Sequence, residues 1–246
     1  MFLQQRIVPQ DPSSLAYLFG CAGQGQAIAV DVFQGDEQWF LDEAERLGVR
    51  IRYVVDTHVH ADHFSGGPAL AEKSGAEYVL WHQAPVKHTF LGVQEGDVLT
   101  VGNVQARVIY TPGHTPDHIC LIVTDRSRGD EPWFVITGHT LFVGSVGRPD
   151  LHGQAERMAH QLFDTLHTKL MSLPDNMEIW PGAKAGSVCG VGLSAKPVST
   201  IGFEKRFNEM LSLPRNSFVE KILGDLPPEP KEKATFIAFN KGEHNV

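Results

Sequence analysis

The sequence predicts an α/β protein built as an αββα four-layer sandwich. In this fold two mixed β-sheets pack face to face, and helices cover both outer faces. Short apolar runs alternate with helical patterns over the first two thirds of the chain. Strand patterns occur at the start and again in the middle, with helical patterns after each set. No linker rich in Pro, Gly or Ser divides this part, so we expect one domain over residues 1–246, ending in a helical segment over about 200–246.

The first half of the chain carries neighbouring strand patterns and then alternating helices and strands. Residues 36–47 repeat apolar side chains at helical spacing, and Gly48 ends this helix because glycine tolerates the left-handed conformation of a C-cap. The β-branched pattern at 51–55 runs directly into polar residues, which therefore follow the carboxyl end of a strand. We predict strands over 14–18, 27–32, 51–55 and 78–81, and helices over 36–47 and 68–73.

The second half begins with strand patterns and ends with helical ones. Residues 98–110 read as two strands joined near Gly102 and Asn103. Within residues 155–171, apolar side chains recur every four positions, which predicts one long helix with a single buried stripe. That stripe consists of Met158, Leu162, Leu166 and Leu170. We also predict strands over 119–124 and 133–137, and helices over 203–210 and 217–223.

Composition and charge exclude several classes of protein. Hydrophobic residues make up 42% and charged residues 20%, which is typical of folded globular chains. The 21 Lys and Arg against 29 Asp and Glu give a net charge of −8, which argues against a nucleic-acid partner. No window approaches the roughly twenty apolar residues of a membrane span, and the first residues lack the pattern of a signal peptide. Together with three widely spaced cysteines, this predicts a cytoplasmic protein without membrane partners.

A dense cluster of imidazoles follows the strand predicted at 51–55. The segment THVHADH places His58, His60 and His63 beside the carboxylate of Asp62. Neutral imidazole is a common ligand of both zinc and iron. A histidine with a structural role does not need two more at this spacing, so the segment predicts a metal site at the end of the strand.

Two further histidines follow strand patterns elsewhere in the chain. Pro112 and Gly113 end one strand just before His114, and Gly138 ends another just before His139. We therefore expect three strand ends to converge on the metal site. We assign structural roles to the remaining, isolated histidines: His82, His88, His118, His152, His160, His167 and His244.

With these motifs the sequence resembles the metallo-β-lactamase superfamily, whose His-x-His-x-Asp-His signature occurs here at residues 58–63. The similarity extends over nearly the whole chain. Its later motifs resemble the glyoxalase II and persulfide dioxygenase branch more than the secreted antibiotic-degrading lactamases. In chain order these motifs are TPGHTPDH, TGHTLF, GRPDL, WPG and STIGFEKRFN.

In the two-metal hydrolases of this family, the resemblance implies two neighbouring ions. The first would bind His58, His60 and His114, and the second would bind Asp62 and His63.

Two departures affect the implied second site. Family members carry a bridging aspartate at the position of His139 and a ligand histidine at the position of Ala183. An imidazole does not bridge two cations as a carboxylate does, and an alanine methyl offers no lone pair. Lys184 adds positive charge nearby. We therefore expect the second site to be weak or unfilled, whether the departures arose by natural drift or by deliberate editing.

The dioxygenase branch is similar in fold but uses one iron. The resemblance implies ligands at His58 and His114 and at the carboxylate that His139 replaces here. Three neutral ligands raise the Lewis acidity and the redox potential of an iron, which disfavours oxygen activation. A three-imidazole zinc centre with an open position instead lowers the pKa of bound water from about 15.7 to near 7.

The leading prediction is a metal-dependent hydrolase with one Zn²⁺ ion. His58, His60 and His114 would bind the ion, and His139 would be a fourth ligand or a close neighbour. A fourth ligand would close the site and prevent turnover. Asp62 would accept a proton from the attacking water or orient it.

The substrate class follows from the family alone. We expect a thioester, an ester or a similar acyl compound. An anionic end of the substrate, such as a glutathione carboxylate, would contact Arg148 and Lys205 or Arg206. A solvated salt bridge is the alternative for these cations. The alternative functions are an Fe²⁺-dependent persulfide dioxygenase and a catalytically silent or engineered metal-binding variant. A homodimer is compatible with the sequence.

Overall fold

Two six-stranded mixed sheets form the centre of the molecule within residues 1–243, which are the residues described by the computed structural model. Residues 244–246, which include His244 and the end of the predicted C-terminal segment, lie outside the described residues. The first sheet consists, in spatial order, of β1 (Phe2–Ile7), β2 (Leu15–Cys21), β3 (Gln26–Val30), β4 (Arg50–Val55), β5 (Glu77–Trp81) and β6 (Leu91–Val93).

The second sheet has a different strand order because one edge is built from late parts of the chain. Its strands are β7 (Val98–Val101), β8 (Val104–Tyr110), β9 (Ile119–Asp125), β10 (Phe134–Gly138), β13 (Glu178–Pro181) and β14 (Ser199–Thr200). Their spatial order is β14-β13-β10-β9-β8-β7. A short ribbon of β11 (Leu141–Phe142) and β12 (Ser145–Val146) follows β10.

Helices cover the outer faces of both sheets. In chain order they are α1 (Glu37–Leu47), α2 (Gly67–Ser74), α3 (Ala155–Thr165), α4 (Ile201–Phe207), α5 (Glu209–Ser212), α6 (Arg215–Gly224) and α7 (Lys233–Asn240). No helix of the described residues is both long and apolar enough to cross a membrane.

Side-chain alternation along β2 explains the layers. Tyr17 and Phe19 point into the core between the two sheets, whereas Ala16 and Leu18 point to the layer that contains α1 and α2. Leu162 of α3 belongs to a third buried cluster, on the outer face of the second sheet. The predicted αββα sandwich is thus confirmed.

Several predicted boundaries differ from the structure. The long helix predicted over 155–171 is α-helical only to Thr165 and continues as a π-helical turn at Leu166–Leu170. The helix predicted over 203–210 is broken at Asn208, whose side chain caps α5 by accepting the Met210 amide.

The topology brings three loops to one edge of the sandwich. β8 and β10 both pair antiparallel with β9, so their carboxyl ends lie on the same side. The loop after β4 joins them there, because the Ile119 amide donates to the Thr57 carbonyl and the Val59 amide donates to Asp117. Residues that follow β4, β8 and β10 therefore meet in space.

Candidate metal centre

Three predicted metal residues meet at this edge, one from each loop. The ring centroids of His58 and His114 lie 4.9 Å apart. The centroid of His139 lies 4.9 Å from that of His58 and 5.2 Å from that of His114. All three side chains are almost fully buried, and one donor atom from each lies within 4.8 Å of the others. These three imidazoles form the first candidate metal centre.

His60 and Asp62 form a second candidate group, which shares His139 with the first. His60 Nδ1 lies 3.9 Å from Asp62 Oδ1. His63 lies beside this group, with its Nδ1 atom 3.0 Å from Asp62 Oδ1 and its ring stacked on Phe33 at a centroid distance of 3.5 Å. The THVHADH segment thus supplies residues to both groups.

The six predicted metal residues lie together, but the structure divides the predicted first-site set. His58 and His114 group with His139, whereas His60 groups with Asp62 and His139. His139, which the sequence predicts as a fourth ligand or a neighbour, is the residue that both groups share. The individual ligand roles remain predictions.

Hydrogen bonds fix the proton positions on His58 and His114. The Thr57 hydroxyl donates to Asp31, so it accepts a hydrogen bond from His58 Nδ1 at 2.9 Å. His114 Nδ1 donates to the Arg148 carbonyl oxygen at 2.8 Å. In both rings the proton is on Nδ1, and Nε2 carries a lone pair.

Carboxylates hold the next two rings in the same way. His60 Nε2 donates to Asp31 at 3.2 Å, and His63 Nδ1 donates to Asp62. Within residues 1–243, five buried ring nitrogens of this cluster have no hydrogen-bond partner, and we call them the site nitrogens. They are Nε2 of His58, His63 and His114, and Nδ1 of His60 and His139.

The site nitrogens fit a divalent cation. Burying a nitrogen lone pair without a partner costs free energy, which a bound cation removes. Partners on the opposite ring nitrogen are also typical of metal-binding histidines, because they set the tautomer and the ring orientation. Imidazole-rich sites suit both zinc and iron. The donor set therefore agrees with the predicted metal site and leaves the identity of the ion open.

Burial and charge separate the protonation states of the imidazoles. Burial, followed by the charges of neighbouring histidines, holds the pKa of His58 and of His114 well below the ordinary value, so both rings are neutral at pH 7. Burial also lowers the pKa of His139. Burial opposes protonation of His60 as well, but the hydrogen bond and charge of Asp31 outweigh it and raise the pKa of His60 to about 9, so without a metal the Nδ1 atom of this ring carries a proton at pH 7 that a cation would have to displace.

The position at which the resemblance implies a second-site histidine is apolar. Ala183 is buried in a small cluster with Phe142 and Cys189. Cys189 Sγ donates to Asp62 Oδ2 at 3.2 Å, so the second oxygen of this carboxylate is also engaged. Lys184 is half-buried, and its backbone amide donates to the Ser13 carbonyl. Position 183 therefore offers no metal ligand in this structure.

Arg148 is already engaged inside the protein. Its side chain is buried, forms two hydrogen bonds of 2.7 Å with Asp150, and donates to the carbonyl oxygens of Val188 and Pro228. A substrate would have to displace one of these partners, so the structure gives the predicted substrate-binding role no direct support.

The two other predicted substrate-binding cations lie on α4. Arg206 is exposed and lies 5.2 Å from the ring centroid of Phe207. Lys205 pairs with Asp175 at 2.5 Å. A role of Arg206 in substrate binding remains a prediction.

Two residues that hold the candidate metal histidines in place were not predicted from the sequence. Asp31 lies at the end of β3, far from the histidine motif in sequence, and no local pattern marks it. His118, to which we assigned a structural role, accepts the His139 backbone amide on Nε2 at 3.0 Å and stacks against His58. Its position four residues after His114 in TPGHTPDH was the available signal.

Comparisons with known proteins agree with this arrangement. The chain is 32% identical to a hydroxyacylglutathione hydrolase of Polaromonas sp. over 253 aligned residues, which cover 92% of each chain. It is 28% identical to the mitochondrial persulfide dioxygenase ETHE1 of Bos taurus, over 94% of this chain and 84% of that protein. The crystal structure of a metallo-beta-lactamase from Staphylococcus aureus subsp. aureus COL superposes with a TM-score of 0.92 at 32% identity, covering 99% of this chain and 73% of that chain.

The family assignment follows from sequence and structure together. The sequence profile described as the Metallo-beta-lactamase superfamily matches residues 11–180. That range contains the histidine motif and all three loops of the candidate metal centre. The chain belongs to the metallo-beta-lactamase superfamily.

Proposed function

We propose that this protein is a metal-dependent hydrolase that binds one zinc ion and cleaves a small thioester or ester. The observation that carries the proposal is the set of site nitrogens on His58, His114 and His139, which are buried and lie at the meeting point of three loops. A divalent ion held by these three residues would supply Lewis-acid activation of water for attack on an acyl carbon.

Hydrogen bonds within the protein set the tautomers of the site histidines before an ion binds. Thr57 and the Arg148 carbonyl hold His58 and His114 in the tautomer that presents Nε2. The low pKa of these two rings keeps them neutral, so no proton has to leave them when a cation binds.

Asp62 is better placed to orient groups than to take up a proton. Burial opposes ionisation, but the charge and the hydrogen bond of His63 hold the pKa of Asp62 well below its usual range. A carboxylate with such a low pKa is a weak base, and both of its oxygens accept hydrogen bonds from within the protein. We therefore assign Asp62 to orienting the attacking water.

The reaction we propose adds water across the acyl bond. The water oxygen forms a bond to the acyl carbon, the carbon–sulfur bond of the thioester breaks, and the leaving thiolate takes up the proton that the water gives up. A glutathione thioester is the leading substrate, because a hydroxyacylglutathione hydrolase is 32% identical to this chain. This substrate comes from the relative's name and is a proposal for this chain.

Metal analysis combined with two activity assays tests the proposal. The purified protein should hold about one zinc per chain and should hydrolyse a hydroxyacylglutathione thioester, and both properties should be lost in His114→Ala. His82→Ala is the matched control, because His82 is exposed and lies outside the candidate metal centre.

The second candidate function is an iron-dependent persulfide dioxygenase, which the similarity to ETHE1 favours. Iron loading with oxygen uptake on glutathione persulfide, and no thioester hydrolysis, would replace the hydrolase proposal by this one. Full metal occupancy without either activity would indicate a catalytically silent metal-binding protein.

A further inference from the structure

Asn240, the last residue of α7, is buried against the loop that carries the histidine motif. Its Nδ2 atom donates to the carbonyl oxygens of His60 at 2.9 Å and His63 at 2.8 Å. Its Oδ1 atom accepts the Ser65 backbone amide at 2.8 Å. A single side chain thus holds three backbone groups of residues 60–65, which lie about 180 positions earlier in the chain.

The rest of α7 is attached to the same region. The rings of Phe236 and Phe239 meet the ring of Phe64 edge to face, at centroid distances of 4.7 and 4.9 Å. Just beyond the helix, the carbonyl of Lys241 accepts the Lys87 amide at 2.8 Å. The helix is therefore anchored on both sides of the Asn240 contact.

The contact matters because residues 60–65 lie between β4 and α2, outside regular secondary structure. Buried backbone groups in such a segment need partners from side chains or water. The ring of His60 is fixed by Asp31, and the ring of His63 is fixed by Asp62. Asn240 donates hydrogen bonds to the backbone carbonyls of the same two residues, so both the ring and the backbone of each residue are held in place.

We propose that α7 is a strap over the metal-binding loop and that Asn240 is its positioning residue. By fixing the carbonyls of His60 and His63, it holds the loop that also carries His58 in the conformation that presents the site nitrogens of this loop to the ion. Affinity for the ion is then coupled to docking of the C-terminal helix. The inference rests on the metal site of the proposed function and does not depend on the reaction.

The test compares variants of the full chain in zinc titrations against a competing chromophoric chelator. Asn240→Asp keeps the shape of the side chain and the oxygen that accepts the Ser65 amide. It loses the N–H groups that donate to the carbonyls of His60 and His63. Asn240→Ala loses all three bonds. We expect both variants to bind zinc about 10–100-fold more weakly, as found when partners of metal ligands are removed. Thr235→Ala, an exposed change on the same helix, should bind zinc like the original chain.

A second measurement separates positioning from general stability. Amide hydrogen exchange of the metal-free chain should be faster at residues 60–65 in the Asn240 variants and unchanged in the strands of the core. Equal zinc affinity for Asn240→Asp and the original chain would overturn the proposal. Loss of folding in both Asn240 variants would also overturn it, since the side chain would then support the whole fold rather than one loop.

The outcomes for the strap and for the hydrolase are distinguishable. If the original chain binds zinc but hydrolyses nothing, the proposed reaction fails while the affinity comparison still decides the role of Asn240. If the chain binds no metal, the metal site fails and the strap to a metal-binding loop fails with it. If hydrolysis persists and zinc affinity is the same in all variants, the strap alone is rejected.

Discussion

Asp31 Oδ1 lies 3.2 Å from His60 Nε2, and the two buried groups form an ion pair beneath the site. The same carboxylate accepts the amide and hydroxyl of Thr57, whose oxygen in turn holds His58 Nδ1. One aspartate at the end of β3 therefore orients two histidines of the metal-binding loop. Carboxylates in this position also raise the basicity of the ligand nitrogen.

The first prediction concerns this carboxylate. Asp31→Asn should weaken zinc binding about 10–100-fold, because it removes the charge that holds Thr57, which orients His58, and that also holds the neighbouring His60 ring. Chelator competition at pH 7 measures the effect. Asp130→Asn is the control, since the Asp130 side chain is 81% exposed and lies far from the site in the fold. Equal zinc affinity of Asp31→Asn and the original chain would contradict this role.

The second prediction concerns the pH dependence of stability without metal. The pKa values of His58, His114 and His118 lie well below the ordinary value, chiefly because the rings are buried. The unfolded chain therefore binds more protons than the folded chain below about pH 6.5, and stability falls as the pH falls through that value.

His60 has the opposite effect on the pH dependence of stability. The pKa of His60 is raised to about 9, so its contribution to stability is fully present below its unfolded value and is lost as the pH rises through about 9. Thermal unfolding in a chelator should thus show a maximum near pH 6.5. The alkaline decline should be reduced in Asp31→Asn, and a decline of the same size in both chains would reject this cause.

The third prediction tests the account of the second cation position. His139→Asp together with Ala183→His should raise the metal content from one ion toward two, because both changes supply the second-site ligands that the resemblance implies at these positions. Elemental analysis after dialysis measures the ratio. Ala183 is buried beside Phe142 and Cys189, so Ala183→His alone should be less stable and should not gain the ion. An unchanged ratio in the folded double variant would refute the account.

The fourth prediction concerns the space around His139. A Cβ atom at Gly147 would lie 1.8 Å from the His139 carbonyl oxygen and 3.1 Å from His114 Nδ1. Gly147→Ala should therefore destabilise the protein by about 1–3 kcal/mol or more and should weaken metal binding. Chemical denaturation and zinc titration check both effects. Gly23→Ala, where a Cβ meets nothing within 4 Å, should leave both unchanged, and equal behaviour of the two variants would contradict the packing argument.

The layers of the fold and the histidines of the candidate metal centre could be predicted from the sequence, because both depend on local patterns. The alternation in β2 and the His-x-His-x-Asp-His motif can be read within a few residues. Edge strands were missed, as for β1, whose side chains are mostly half-buried and carry little periodicity. The break between α4 and α5 was missed because it depends on Asn208, which bonds to the distant Ser145 carbonyl.

The contacts that organise the site were missed for a similar reason. Asp31 and Asn240 meet the histidine motif only after the chain folds, so no spacing in the sequence relates them to it. The division of the imidazoles around His139 is also a property of three loops together. Sequence reasoning identified which residues would meet but not how they would group around His139.

A crystal structure of the zinc-loaded protein with anomalous data at the zinc edge tests the central claim most directly. We predict one strong anomalous peak per chain, within bonding distance of His58, His114 and His139. A fully loaded crystal with no peak among these three rings, or with a peak that contacts none of them, would contradict the account.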